Sequence, residues 1–347
     1  MATQCASCEN NYFDFLAKYH RNNEASLQYL RYHGVLPVDV QCPHCKTPCH
    51  YRKDRHQWVC GAWTKIAKTK RRKQCNFTVS DYRGTFLSGT RLEPYQILSF
   101  INHWLSKHWD HQTVIGCLHI AERTSVDWRG FCSEVTEHWL DNQEPIGGPG
   151  IVVEVDETLF GKRKYERGRL LSQIWVFGGI ERVSEKLFLV PLVELLSRKR
   201  DAETLIPLIN KYILPGSVIV SDGWSAYQTI SKHGYEHQVI NHTEHFVDPE
   251  NPEIHTQNIE RLWRDVKEWS KRPGNRQEFY KQYLARYLFL HQYKPEVVHH
   301  HFVEAGKLYP PLSEKERRIA IAIPANNDVD DPGDPSDPQP GLSGGSA

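Results

Sequence analysis

Asp156, Asp222 and Glu260 are the acidic residues whose settings suit them to chemistry. Asp156 ends the apolar run Ile151-Val152-Val153-Glu154-Val155-Asp156, and Asp222 ends a second one, Ser217-Val218-Ile219-Val220-Ser221-Asp222. Glu260 opens an amphipathic stretch from Ile259 to Lys267. Two carboxylates at strand ends and a third on a later helix can converge on two divalent ions. Such ions, about 3.5–4 Å apart, clamp the attacking and leaving oxygens of a phosphodiester displacement. Hard oxygen ligands select Mg²⁺ or Mn²⁺. Glu154 and Glu157 compete with Asp156 for this role; strand alternation puts Glu154 on its face and Glu157 on the other. Glu260 taken alone would better suit an ordinary helix salt bridge with Arg264; His255-Thr256-Gln257-Asn258-Ile259 before it and Lys267 after it favour catalysis.

A second set of residues suits a different metal. Cys42 and Cys45 form a C-x2-C knuckle, followed by Cys60 and Cys75 at equal spacings. Thiolates in this arrangement predict a tetrahedral structural zinc. Cys49, His44, His50 and His56 are competing ligands, while Cys5 and Cys8 have no partner pair and are expected to be free thiols. Nine cysteines, an odd number, fit a reducing compartment better than a secreted disulfide framework.

The chain of 347 residues has room for two or three domains. Its net charge is only +1, but Tyr51 to Cys75 holds nine Lys/Arg against one Asp. A basic stretch beside a metal knuckle suits DNA phosphate, and Lys70, Arg71, Arg72 and Lys73 are its densest part. The same run also fits a solvated face or a nuclear-import signal. No apolar run is long enough for a membrane span, and the first residues lack a signal-peptide pattern.

Elements follow from periodicity. Residues 1–36 form an N-terminal helical segment, with short helices from about residue 10, and 37–90 a zinc-ribbon domain. Residues 91–145 read as three helices: one around Ile97, Ile101 and Trp104, one from His111 to Leu118, and one from Ser125 onward. Thr124-Ser125-Val126-Asp127 has capping-box form before the third. This rhythm predicts a helix-turn-helix with Arg123 and Arg129 as DNA contacts. Pro145 to Gly150 reads as a hinge.

Residues 146–310 read as strands near 151–157, 172–180, 186–193 and 217–222, with helices near 201–212, 225–233 and around Glu260. Three successive strands followed by alternating helices and strands predict an α/β, RNase H-like fold. Lys162, Arg163, Lys164 and Arg169 crowd the first loop and are expected to clamp DNA phosphate; Arg264 and Lys267 share a helix face with Glu260. Residues 311–347 form a tail, expected to be disordered from about 326, where five Asp and no basic residue stand among Pro, Gly and Ser.

Ordered blocks carry a resemblance. Val153-Glu154-Val155-Asp156-Glu157, Phe160-Gly161-Lys162-Arg163-Lys164-Tyr165 and Arg167-Gly168-Arg169 resemble the first catalytic block of Merlin-superfamily DNA transposases, whose bacterial relatives are insertion-sequence transposases. Trp175 to Glu181, Ala202-Glu203-Thr204-Leu205, Ile213 to Gly216, Ser221 to Tyr227, Asn241-His242, Phe246 to Pro249 and His255 to Glu260 continue it. Leu195 to Arg200 departs from the pattern in length and charge. The resemblance selects Asp156, Asp222 and Glu260 as catalytic ligands of two Mg²⁺ or Mn²⁺ ions, and Cys42, Cys45, Cys60 and Cys75 as zinc ligands. It implies a DDE-type transposase that cuts transposon ends and transfers them into target double-stranded DNA. Such a protein would be a homo-oligomer on DNA, in the nucleus or in bacterial cytoplasm. A catalytically silent, domesticated DNA-binding protein and a structure-specific nuclease are the alternatives. On this reading Glu154→Gln serves as a control that keeps activity.

Overall fold

The computed structural model describes residues 11–65, 71–106, 110–160, 173–192, 200–240, 255–270, 277–294 and 296–311. Cys5, Cys8, Lys70, Lys162, Arg163, Lys164, Arg169, the Asn241-His242 and Phe246 to Pro249 blocks and the acidic tail lie outside them. The chain divides into two compact units, one of them built around Asp39–Gly84.

The larger unit begins with α1 (Tyr12–Tyr19) and α2 (Asn23–Tyr32), capped by the side chains of Asn11 and Asn22. The smaller unit is built from short strands. Strands β1 (His50–Arg52), β2 (Gln57–Val59), β3 (Trp63–Lys65), β4 (Arg72–Gln74) and β5 (Thr78–Ser80) are each three residues long. They form an antiparallel sheet in the order β1-β2-β5 and a separate hairpin of β3 and β4. Its core is small: Val40, Cys42, Cys49, Trp58, Cys60, Phe77 and Val79, with the Trp58 indole donating to buried Asp81 at 2.7 Å. Units of about 40 residues rarely hold together on a core alone and need a metal or disulfide.

Three helices resume the larger unit: α3 (Pro94–Trp104), α4 (His111–Leu118) and α5 (Glu122–Asp141). α5 starts three residues before the expected Ser125. His119, in the left-handed region at φ 52°, turns the chain so that Ala121 becomes the N-cap. Ser125 is consequently buried inside α5, and the capping box read at Thr124 does not form. The box-like contact lies on α3 instead, where Gln96 Oε1 accepts from the Glu93 amide at 2.8 Å.

The Pro145–Gly150 segment is pinned to the fold and not a free hinge. β6 (Ile146–Gly147) pairs with β10 (Ile213–Leu214), and the Gly148 amide donates to Ser217 Oγ at 2.8 Å. Gly147 sits at φ 85°, where a Cβ would stand 2.3 Å from that hydroxyl.

A five-stranded sheet follows, built from β7 (Val152–Phe160), β8 (Ile174–Glu181), β9 (Leu187–Pro191), β11 (Val218–Asp222) and β12 (Glu236–Ile240) in the order β12-β11-β7-β8-β9. β7, β8 and β9 run antiparallel in sequence, while β11 joins β7, and β12 joins β11, in parallel. The long β7 lies at the centre. One face packs Val153, Val155, Phe177 and Ile219 against Leu205 and Ile209 of α6 (Ala202–Tyr212). The other face receives α7 (Gln257–Ser270), whose buried residues Ile259, Leu262, Trp263 and Val266 follow helical spacing. α8 (Tyr280–Gln292) and α9 (Val297–Leu308) pack on α5.

Two expectations need correction here. The helix read at 225–233 is two 3₁₀ turns, Ser225–Tyr227 and Ile230–His233, because Tyr227 and Ile230 must both turn into the core. β12 was not anticipated: Glu236-His237-Gln238-Val239 lacks an apolar alternation, as suits an edge strand.

Among the histidines that the helical layer buries, His33 and His301 are held as neutral rings. Burial pushes His301, which contacts the Cys132 carbonyl at 3.3 Å, and His33, stacked on Tyr29, from the usual 6.5 down to about 4. Their folded-state values are depressed, so the unfolded chain binds protons first as pH falls below 6.5. The thermal midpoint should therefore drop between pH 6.5 and pH 4. His301→Asn should flatten that slope, and an unchanged slope would contradict the assignment.

Candidate active site and metal centre

Parallel pairing of β11 with β7 matches Val218 with Val152, Ile219 with Val153 and Val220 with Glu154. Continued by two residues, this register sets Asp222 level with Asp156 on the same face of the sheet. Both carboxylates are half-buried at the end of the ladder. Asp156 Oδ2 accepts from the Trp263 indole at 2.9 Å, and Asp222 Oδ1 accepts from the Trp224 amide at 3.1 Å. Glu260, exposed on the first turn of α7, lies three residues before that Trp263 and contacts Thr256 Oγ1 at 3.4 Å.

Gly178 makes the indole contact possible. It pairs with Asp156 across β7 and β8, and a Cβ there would stand 2.6 Å from the Trp263 ring. The ring thus lies directly on the strand beside the carboxylate it serves.

The glutamates around Asp156 have distinct tasks. Glu154, fully buried, accepts from the Asn258 and Ile259 amides at 3.0 Å each and from Asn258 Nδ2 at 2.8 Å. These are orphan donors at the start of α7, so a carboxylate of the central strand caps the helix that carries Glu260. Arg182 completes the joint, with Nε 2.8 Å from Glu154 and Nη2 2.6 Å from the His255 carbonyl. Glu154 was a rival for the metal in the sequence; its oxygens are instead committed to α7. Asn258 serves the same joint through its amide and side chain.

Glu157 points to the opposite face and accepts from buried Tyr227 at 2.5 Å. Burial pushes its carboxyl up to about 7, opposed by the Tyr227 hydrogen bond, while the nearby charges of Asp156 and Asp222 add to the rise. Those two charges also raise Tyr227, after burial and Glu157, which places all four groups in one electrostatic neighbourhood.

Glu154→Gln is therefore no neutral control. It removes the anion from a buried ion pair and leaves the Arg182 charge uncompensated, a loss of about 3–5 kcal/mol. Denaturant unfolding should show that loss for Glu154→Gln and a smaller one for Glu154→Gln combined with Arg182→Met, which removes the uncompensated charge while the amide oxygen still accepts from α7. Equal losses would mean that the ion pair does not set the stability.

In the smaller unit, the sulfurs of Cys42, Cys45, Cys60 and Cys75 lie within 4.8 Å of one another. Cys42 and Cys75 sulfurs are 3.6 Å apart, and Cys45 and Cys60 sulfurs 3.3 Å. Backbone bonds aim them: Lys46 N to Cys42 O, Cys60 N to Phe77 O and Cys75 N to Ala62 O. Lys46 takes a left-handed φ of 61° to close the knuckle. Burial pushes the Cys42 thiol up to about 12, and the Thr47 hydroxyl holds Cys45 down to about 6. Four soft sulfurs at this separation form a metal-binding cluster of the zinc type. Among the described residues this is the one such cluster; Cys49 belongs to the apolar core instead. The Asp156, Asp222 and Glu260 carboxylates do not form a further group of this kind.

Of the basic residues singled out in the sequence, Arg71, Arg72 and Lys73 are exposed at β4, Arg123 and Arg129 on α5, and Arg264 and Lys267 on α7. No helix among the described residues is long and apolar enough to cross a membrane.

Residues 147–295 match the family model described as the ISXO2-like transposase domain, of the IS1595 group of DDE transposases. The matched model is that of a DDE-type transposase domain, part of the broader Merlin-related set and not Merlin itself, and it covers less than half of the chain. Male abnormal protein mab-31 of Caenorhabditis elegans is 24% identical over 226 residues, covering 60% of this chain and 50% of its own length. The chain spans about half of that curated relative. A cryoEM structure of the simian T-cell lymphotropic virus intasome in complex with the PP2A regulatory subunit B56 gamma aligns at 14% identity and a TM-score of 0.27. That alignment covers 51% of this chain and 63% of that one.

Proposed function

We propose that this chain is a DDE-type DNA transposase of the Merlin-related set, with an RNase H-like catalytic core. The observation that carries this reading is the register that sets Asp222 level with Asp156, beside a helix anchored to the same strand by Glu154. Asp156, Asp222 and Glu260 would hold two Mg²⁺ or Mn²⁺ ions. The donor set fits them: hard carboxylate oxygens, partly or fully open to solvent, where Glu154 is fully buried and ion-paired to Arg182. Such ions supply an activated water and neutralise charge at a phosphodiester.

This chain's own residues do the rest. Trp263 orients Asp156, Glu154 and Arg182 fix the α7 register, and Arg264 and Lys267 on that helix face DNA phosphate. α4 and α5 form a helix-turn-helix that presents Arg123 and Arg129 to a major groove. Zinc held by Cys42, Cys45, Cys60 and Cys75 orders the ribbon, whose Arg71, Arg72 and Lys73 add phosphate contacts. The protein would act as a homo-oligomer on double-stranded DNA, in a nucleus if the host has one.

The test is incubation of the full zinc-loaded chain with duplexes carrying the sequences that flank its gene, with Mg²⁺, with Mn²⁺ or with neither, and strands resolved by gel. Cleavage at the element ends in Mg²⁺ or Mn²⁺ but not without added divalent ion is expected. Binding without cleavage under every condition would replace this reading with that of a silent, DNA-binding derivative.

A further inference from the structure

Beside Asp222, on the α6 side of the sheet, lies an open cleft of about 480 Å³ lined by Trp175, Arg200, Asp201, Trp224 and Ser225. The Arg200 guanidinium lies 3.8 Å from the centre of the Trp175 ring and 4.9 Å from that of Trp224. Trp224 is held at two points: its indole N–H donates to the Arg200 carbonyl at 3.0 Å, and its amide donates to Asp222. Yet the residue keeps 42% of its surface in solvent. A large aromatic ring fixed in orientation but left half-exposed loses little further freedom on binding, which suits it to a stacking platform.

We propose that this cleft binds an unpaired nucleobase of the DNA strand processed at Asp156 and Asp222. The inference rests on the transposase reading. A base offers a flat π-face to Trp224 and brings a phosphate toward the Arg200 charge. A fully paired duplex offers no such face, because its bases are stacked on one another. Trp224 lies two residues beyond Asp222 and its amide is bonded to that carboxylate, which ties the ring to the sheet edge where Asp222 stands and where a strand leaving the carboxylates would pass. Strand transfer needs a freed 3′-OH, and the cleft would hold a base that leaves the stack where the strand is cut. An aromatic side chain from a second copy would suit the ring, but not the adjoining carboxylates and their phosphodiester.

The test uses the full zinc-loaded chain without added Mg²⁺ or Mn²⁺ and with two probes: a single-stranded oligonucleotide carrying one 2-aminopurine, and the same oligonucleotide fully paired. Stacking on an indole should quench the single-stranded probe. Trp224→Ala should abolish the quench and weaken single-strand affinity about tenfold, since each base–aromatic stack contributes strongly, with duplex affinity unchanged. Trp224→Phe should keep most of both, which separates stacking from folding. A quench that persists in Trp224→Ala, or equal weakening of both probes, would overturn the proposal. So would a Trp224→Ala change in sedimentation with no change in quench, which would assign the ring to a second copy. The cleavage assay above keeps the two readings apart. Cleavage without a Trp224-dependent quench removes the cleft alone; a quench without cleavage keeps the cleft and removes the transposase.

Discussion

Asp156→Asn, Asp222→Asn and Glu260→Gln should each bring divalent-dependent strand cleavage to background while duplex binding and the unfolding midpoint stay near those of the native chain. Each exchange is close to isosteric, so the packing of β7, β11 and α7 is kept. What it removes is one negative charge from a set that must offset the repulsion of two divalent ions. Asp156 also accepts from Trp263, and an Asn oxygen can still accept that bond, so the fold around Gly178 should survive. The three losses should not add, because a site lacking one ligand has little activity left to lose. Glu203→Gln, exposed on the first turn of α6, is the appropriate control and should retain cleavage. Full cleavage by Glu260→Gln would move the third ligand to another carboxylate.

Removing the zinc should unfold the Asp39–Gly84 unit outright. Structural zinc contributes roughly 10–16 kcal/mol to small metal domains, far more than the short strands and few buried side chains of this unit supply. Metal analysis should give one zinc per chain. Cys42→Ser, Cys45→Ser, Cys60→Ser and Cys75→Ser should each release it, and Cys49→Ser should not, because Cys49 packs in the core outside the four-sulfur cluster. Acidification should release it as well, since protons compete for thiolates. Folded, zinc-free protein, or zinc retained in Cys75→Ser and lost in Cys49→Ser, would contradict the ligand set.

Much of the sheet was legible because β7 and β11 are apolar runs that end in Asp, and α7 has an unbroken apolar stripe at Ile259, Leu262, Trp263 and Val266. Less was legible where position depends on long-range partners. β12 has no alternating pattern and exists because β11 offers it an edge. The 3₁₀ turns after Asp222 follow from Tyr227 reaching Glu157, a contact between residues 70 positions apart. Alternation assigned Glu154 and Glu157 to opposite faces correctly, but spacing could not show that Glu154 caps a helix begun about a hundred residues later. The one usable signal was its chemistry: an acidic residue inside an apolar strand must find buried donors. The cluster of Cys42, Cys45, Cys60 and Cys75 needed the hairpins on either side of Ala62 to bring its second pair together, a geometry that equal spacings do not show.

The most direct measurement of the central claim is a Mn²⁺ titration of the DNA-bound chain followed by electron paramagnetic resonance, with zinc already in place. Two Mn²⁺ ions per chain, close enough for their spins to couple, are predicted for the native protein, and loss of the coupled signal for Asp156→Asn and Asp222→Asn. The same coupled pair in Asp222→Asn, or no more than weak, uncoupled Mn²⁺ binding by the native chain, would contradict the assignment of these carboxylates as the metal ligands.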